Sequence, residues 1–404
     1  MAVWKTVGNG TLDGISHVAG LDASKLTIIL SDTLKPIPPR HTWSFGNVMT
    51  DHMVVAEFDP ETGWSSPEIK PRTPLNIDPA SSCIQYGNTV FEGMKAYIGP
   101  DGEPRLFRPD MNMMRLAKSA ERMALPPFDI DQVLALIKQL IIVDRRWIPL
   151  FSGYSLYIRP TLIGTRLGLS VAPSDHAILC IFVSPTGPYF RSGAKAISVL
   201  AESDIVRAWP GGTGGHKVAL NYSSGFLPLR TAQKQGYEQI LWLFGDDMKV
   251  TEAGAMNIFI AVRRDDGDVE LLTPPLDGTI LPGVTRDSVL DLAKGHTSGE
   301  TILPGLLPTL RLLAQERAIT MVDLKRWSAD GKLLEAFGAG TAVIIASIGK
   351  IGFKGEDITL PVHEIGIGPI ANAFRTRILD IQEGKEAWRN WSIPLDELQR
   401  LQLE

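Results

Sequence analysis

Residues 211–222 read Gly-Gly-Thr-Gly-Gly-His-Lys-Val-Ala-Leu-Asn-Tyr. Four of the first five are glycine, so the backbone can turn sharply or approach a ligand closely. A phosphate-cradling nucleotide loop would need Gly-Lys-Ser/Thr running into a helix. Here His216 separates Gly215 from Lys217, and Val218 follows, which argues against that reading. A mobile surface loop with a solvated lysine remains as the plain alternative. What lies downstream tips the balance toward chemistry. After the apolar stretch Gln239–Phe244 comes Thr251-Glu252-Ala253-Gly254-Ala255-Met256-Asn257. Glu252 sits among small and apolar residues between two expected strands. A buried carboxylate is costly unless a cation meets it.

The chain has 404 residues, long enough for two domains. Apolar residues make up 44% and charged residues 21%, as in a folded globular protein. The formal net charge is −5 and no long basic run occurs, which argues against nucleic acid as a main partner. The two cysteines, Cys83 and Cys180, form no metal-binding pattern, so no metal is expected. The longest apolar stretches are strand-sized, so no membrane span is expected. Met1–Asp22 lacks the pattern of a secretory signal and is not Arg-rich. A cytoplasmic location follows as the expectation, with a mitochondrial leader left open.

Periodicity predicts helices over Met111–Ala124, Ile130–Val143, Tyr222–Gln235 and Val284–Ala293. Strands are expected at Val48–Phe58, Tyr154–Ile158, Ala177–Val183, Ala196–Leu200, Gln239–Phe244, Asn257–Val262 and Ala342–Ile348. Lys35–Arg40 is proline-rich and reads as an extended arm. Strands and helices mix without regular alternation, so the fold class is α+β. Ser184–Gly193, rich in Pro, Gly and Ser, is the linker candidate. The expected division is a smaller domain over 1–185, a linker over 186–194 and a larger domain over 195–404.

Several further motifs stand in order along the chain. They are Phe45-Gly46 with Thr50-Asp51-His52-Met53, Tyr86 with Phe91-Glu92-Gly93-Met94-Lys95-Ala96, and Leu106-Phe107-Arg108-Pro109 with Asn112 and Arg115. Tyr157-Ile158-Arg159-Pro160, Asn221-Tyr222, Leu281-Pro282-Gly283 and Gly340-Thr341-Ala342 follow. As an ordered set with Lys217 and Glu252, they resemble the branched-chain amino acid aminotransferases, which are pyridoxal-phosphate enzymes of fold type IV.

The resemblance implies a cofactor-binding larger domain and an active site between domains at the interface of a homodimer. It implies transfer of the amino group of leucine, isoleucine or valine to 2-oxoglutarate. The alternative is a same-fold transaminase for D-amino acids, (R)-amines or a specialised intermediate. Lys217 would carry the cofactor as a Schiff base and move the proton. Glu252 would keep the pyridine nitrogen protonated and Tyr222 would bond the ring oxygen. Arg115, the Val284 and Thr285 amides and Thr341 would hold the phosphate. Tyr157, Arg159 and the Thr341-Ala342 amides would meet the substrate carboxylate. Phe45 and Tyr86, with Leu167 and Leu169 from the partner's loop, would line the side-chain pocket. Each has an ordinary alternative in core packing, a solvated face or a plain turn. The animal members carry a redox CxxC just after Gly-Thr-Ala. Val343–Ser347 has no cysteine here, so thiol regulation of that kind is not expected.

Overall fold

A computed structural model describes residues 18–189 and 195–395. The N-terminal reading over Met1–Asp22 falls largely outside these residues, as does most of the expected linker. The described part is built on two sheets. The first runs in spatial order Thr27–Ile28, Glu68–Pro71, His52–Asp59, Ala177–Thr186, Ser155–Gly164, Met94–Ile98, Pro104–Phe107 and Ser392–Pro394. The last strand comes from the far end of the described chain, so the chain returns to its starting sheet.

Alternation along Ser155–Gly164 sorts its side chains by face. Leu156, Ile158 and Leu162 join a core with Val54, Leu179 and Ile181. The helices Pro109–Arg122 and Ile130–Val143 cover that core with Leu116, Leu136, Ile137 and Leu140, all fully buried. Each such side chain contributes roughly 2 kcal/mol. Tyr157 and Arg159 therefore point to the opposite face of the sheet.

The expected strand over Tyr154–Ile158 ends before Pro160, a residue that lacks an N–H to donate. The real strand continues to Gly164. Its neighbours Thr89–Phe91 and Met94–Ile98 break at Glu92-Gly93, opposite this point, so no ladder bond is lost.

The second sheet runs Lys249–Ala253, Gln239–Phe244, Ile197–Glu202, Ile344–Phe353, Leu333–Gly340 and Met256–Arg263. Lys249–Ala253 also pairs with Met256–Arg263, which closes these six strands into a ring. Val199, Leu241, Ile258, Ile260 and Ile348 pack together on this sheet. A second apolar cluster joins the helices Val284–Ser298 and Pro369–Gln382 to it through Phe259, Phe337 and Phe374.

Two expectations need correction here. The helix expected over Tyr222–Gln235 is two pieces, Leu220–Ser223 and Phe226–Lys234. Pro228 cannot donate to Ser224, so the helix restarts at Gly225. The strand expected from Ala342 begins at Ile344, because Thr341–Val343 is the hairpin turn that joins it to Leu333–Gly340. Among the described residues, no helix is long and apolar enough to cross a membrane.

Candidate active site

Lys217 belongs to the second half of the sequence but is docked on the first sheet. Its N–H donates to Ser119 Oγ at 2.9 Å, and its carbonyl accepts from the Phe91 N–H at 3.2 Å. Val90 and Val218 pair as a bridge, and Val218 is buried in the first core. The lysine backbone is thereby clamped between the Pro109–Arg122 helix and the Thr89–Phe91 strand.

The glycine-rich loop before it is not loose. Asn221 Nδ2 donates to the carbonyls of Thr213 and His216, and Thr213 Oγ1 donates back to Asn221 Oδ1. A Cβ on Gly214 would land on Ala208 and crowd the Gly278 and Thr279 carbonyls, so only glycine permits this approach. The motif residue Asn221 thus ties down the loop that presents Lys217.

Lys217 Nζ donates to Tyr222 Oη at 3.1 Å and lies 4.9 Å from the centre of the Phe91 ring. The Arg159 guanidinium stacks on the other side of the cluster, 4.6 Å from Phe91, and its Nη2 donates to Tyr157 Oη at 3.0 Å. A Cβ on Gly93 would strike the Tyr157 hydroxyl, which explains the glycine beside it. Phe45 packs edge-on against Tyr157 at 4.7 Å and against Tyr189 at 5.9 Å. Of the expected substrate residues, Phe45, Tyr157 and Arg159 therefore come together around Lys217.

Tyr86 does not join them. It lies on the short helix Ser82–Tyr86, exposed, with its hydroxyl donating to the Leu169 carbonyl. Leu167 bridges to Ser81 beside it. Tyr86, Leu167 and Leu169 form one exposed group.

Glu252 is fully buried. Its Oε1 accepts from the Leu281 N–H at 3.0 Å and from Asn257 Nδ2 at 3.1 Å. Its Oε2 accepts no hydrogen bond, although Arg207 Nη1 stands 3.0 Å away without the angle for one. Burial pushes the carboxyl above its ordinary value, and Arg207, the Leu281 N–H and Lys217 pull part of the way back. A carboxylate with one oxygen open to a donor suits a protonated ring nitrogen.

Arg115 is held flat by Glu92, with Nε to Oε1 at 2.7 Å and Nη2 to Oε2 at 2.8 Å, and its Nη1 donates to the Pro282 carbonyl. Burial pushes Glu92 up, but Arg115 more than offsets this and holds it below the usual carboxylate range. One N–H on each terminal nitrogen of Arg115 remains for an anion. Val284 and Thr285 open the helix Val284–Ser298 and line a small cavity with Thr341 and Asn112. Their amides are unpaired helix-start donors. The donor set fits a phosphate, the open Glu252 oxygen fits the ring nitrogen, and the Lys217–Tyr222 pair fits the aldehyde edge.

Glu92, Phe91 and Arg207 belong to the site without having been assigned roles from sequence. Glu92 was open to the argument used for Glu252, a lone carboxylate in an apolar stretch. Arg207 carries no such signal. The motif of Phe45-Gly46 with Thr50-Asp51-His52-Met53 divides in two: Phe45 faces the site, while Asp51 and His52 tie the N-terminal arm. Asp51 accepts from Arg146, Trp147 Nε1 and the Lys35 N–H, and His52 bonds Asp144 and the Ser31 N–H.

Comparison with known proteins shows the family. The sequence model of the amino-transferase class IV family matches residues 89–349. The cytosolic branched-chain-amino-acid aminotransferase of Saccharomyces cerevisiae is 45% identical over 377 residues, covering 93% of this chain and 98% of that protein. The mitochondrial one of Schizosaccharomyces pombe is 43% identical over 376 residues, covering 93% and 86%. Among solved structures, the branched-chain aminotransferase of Thermoproteus uzoniensis with norvaline has a TM-score of 0.65 at 25% identity, covering 85% of this chain and 100% of that one. Class IV aminotransferases depend on pyridoxal phosphate. With this site geometry and this similarity along nearly its whole length, the chain belongs to the class IV aminotransferases, in the family of branched-chain-amino-acid aminotransferases.

Proposed function

We propose that this protein transfers the amino group of leucine, isoleucine or valine to 2-oxoglutarate, and that Lys217 is its catalytic lysine. The observation that carries the reading is the convergence on Lys217 of Tyr222, the Arg115–Glu92 pair and the aromatic wall of Phe91, Phe45 and Tyr157. Pyridoxal phosphate supplies an aldehyde that captures the amino group and a ring that draws electrons from the α-carbon.

The protein groups do the rest. Lys217 Nζ would take the proton from the substrate α-carbon and deliver it across the substrate nitrogen, to the carbon attached to the ring. Tyr222 Oη, 3.1 Å from that nitrogen, holds the ring oxygen. Glu252 Oε2 keeps the ring nitrogen protonated. Arg115, the Val284 and Thr285 amides and Thr341 anchor the phosphate. Arg159 and Tyr157, already bonded to each other, orient the carboxylate with the Thr341-Ala342 turn. Arg159 Nε donates to no protein group among the described residues, which leaves it a free donor in a buried place. Phe45 and Tyr157 exclude water from the apolar end. A screen of purified holoenzyme with amino acid and oxo acid pairs should show turnover of all three branched-chain donors with 2-oxoglutarate. Amines lacking a carboxylate turning over as fast as leucine would sink this assignment.

The reading includes a homodimer. Tyr86, Leu167 and Leu169 are bonded into one group with Ile84 beside them, and all four are exposed. Contiguous exposed apolar side chains of this kind mark an interface. A second copy that covered them would receive Leu167 and Leu169 at its own pocket, and Tyr86 with them. Leu169→Asp should shift the sedimenting species toward monomer and cut turnover at least about tenfold. A wild-type holoenzyme that is fully active as a monomer would overturn the dimer.

The division into domains at 186–194 belongs to the same proposal. It is supported by the separate apolar cores of the two sheets.

A further inference from the structure

Lys95 is 7% exposed and has no carboxylate partner among the described residues. Its Nζ donates to the Ala342 carbonyl at 3.0 Å. Burying an ammonium against a single carbonyl is unfavourable, and burial pushes the Lys95 amine down to about 7. Lys95 lines the small cavity that holds Val284, Thr285 and Thr341, and a second one with Tyr189, Ala342 and Ile344. In the strand pairing Lys95 stands directly opposite Tyr157, so the two side chains lie on one face, with Cβ atoms about 5 Å apart.

The carbonyl it holds belongs to the Thr341–Val343 turn, which enters Ile344 at φ 63°. A β-branched residue in the left-handed region costs roughly 1–3 kcal/mol and needs outside support. The other charged groups facing the cavity that Lys95 shares with Tyr189, Ala342 and Ile344 are Lys195, ahead of the Ile197–Glu202 strand, and Arg375, on the Pro369–Gln382 helix; no carboxylate lines it. Glu383 at the end of that helix is taken by Ser152, the Gly153 N–H and Lys385.

We propose that Lys95 is the positioning residue at the carboxylate end of the substrate site. Its ammonium holds the Ala342 carbonyl, keeps the strained Thr341–Ile344 turn in place and sets a positive charge behind the bound carboxylate. The inference rests on the substrate reading above. It carries a pH consequence with a definite sign. Below about pH 7 Lys95 is charged and the carboxylate binds well; as pH rises past that, the charge is lost and binding weakens.

The test uses holoenzyme and 4-methylpentanoate, a branched monocarboxylate with no amino group to transfer, titrated calorimetrically from pH 6 to 9. In the wild type, Kd should rise about tenfold across that range, as expected for loss of one charge-assisted contact. Lys95→Arg stays charged throughout and should bind with a nearly flat profile; any other titrating group would leave its slope in this variant. Lys95→Met should bind at least about tenfold more weakly at pH 6 and lose the slope. In turnover the change should fall on KM for leucine more than on kcat.

A Lys95→Met protein with wild-type Kd and slope overturns the proposal. So does a Lys95→Arg protein that keeps the wild-type slope, an arm that holds even where Lys95→Met fails to fold. A wild-type protein that neither transaminates leucine nor binds the acid at any pH overturns the substrate reading itself. An active wild type with unchanged variants overturns only the role of Lys95.

Discussion

Lys217→Ala should remain folded and lose transamination between leucine and 2-oxoglutarate by at least about 10⁴-fold. The two halves of that expectation have separate causes. The fold survives because this segment is held by backbone and not by the amine. The Lys217 N–H donates to Ser119 Oγ, its carbonyl accepts from Phe91, and Val218 stays in the first core. Alanine keeps all three contacts. The activity goes because no other base among the described residues occupies the place of Nζ beside Tyr222. Arg159, the nearest other cation on the Phe91 ring, does not release a proton in proteins. Steady-state kinetics with both substrates, together with thermal unfolding, checks both halves. Retained turnover would remove Lys217 from the mechanism; a collapse of the melting temperature would mean that the side chain is part of the scaffold.

Glu252→Ala should do the opposite and damage the fold as well as the chemistry. Glu252 is the only carboxylate touching Arg207 among the described residues, and Arg207 is itself buried. Truncation leaves that guanidinium with the Thr279 carbonyl but without a counter-charge in the interior, and strips the Leu281 N–H of its acceptor. Breaking a buried pair from one side costs about 3–5 kcal/mol. Glu252→Gln separates the effects. It keeps an acceptor for the Leu281 N–H but removes the charge that would hold the ring nitrogen protonated. It should lose less stability than alanine and still lose roughly 10²–10³-fold in kcat. Urea unfolding and kcat on the two variants decide the matter. A glutamine variant with wild-type kcat would show that Glu252 is an ordinary buried acid.

The candidate site residues stand out in the sequence chiefly through the ordered motifs that resemble a known family, since the glycine loop alone leaves a solvated lysine as the plain reading. A lone glutamate in an apolar strand is costly to bury without a cation, so Glu252 points to a partner. The mixed strand-and-helix pattern was legible for the same kind of reason: apolar spacing of two or near 3.6 reports local burial. Ile130–Val143 and Gln239–Phe244 fall where periodicity places them.

What the sequence could not supply is every relation between residues far apart in it. Only the folded chain shows that Lys217 docks on Phe91 and Ser119, that Arg115 lies flat on Glu92, and that Arg207 answers Glu252. Only the folded chain separates Tyr86 from Phe45 and puts it with Leu167 and Leu169. It alone shows that the Lys249–Ala253 and Met256–Arg263 strands close the ring that buries Glu252. The reason is physical. Local pattern records how much of each side chain is hidden, but not which distant group hides it. A buried charge such as Lys95 looks in sequence like one more strand residue, until the turn that it holds is brought against it. Lys217 stands on both sides of that division: its sequence context singles it out as the candidate reactive lysine, and the tertiary structure alone decides what stands around it.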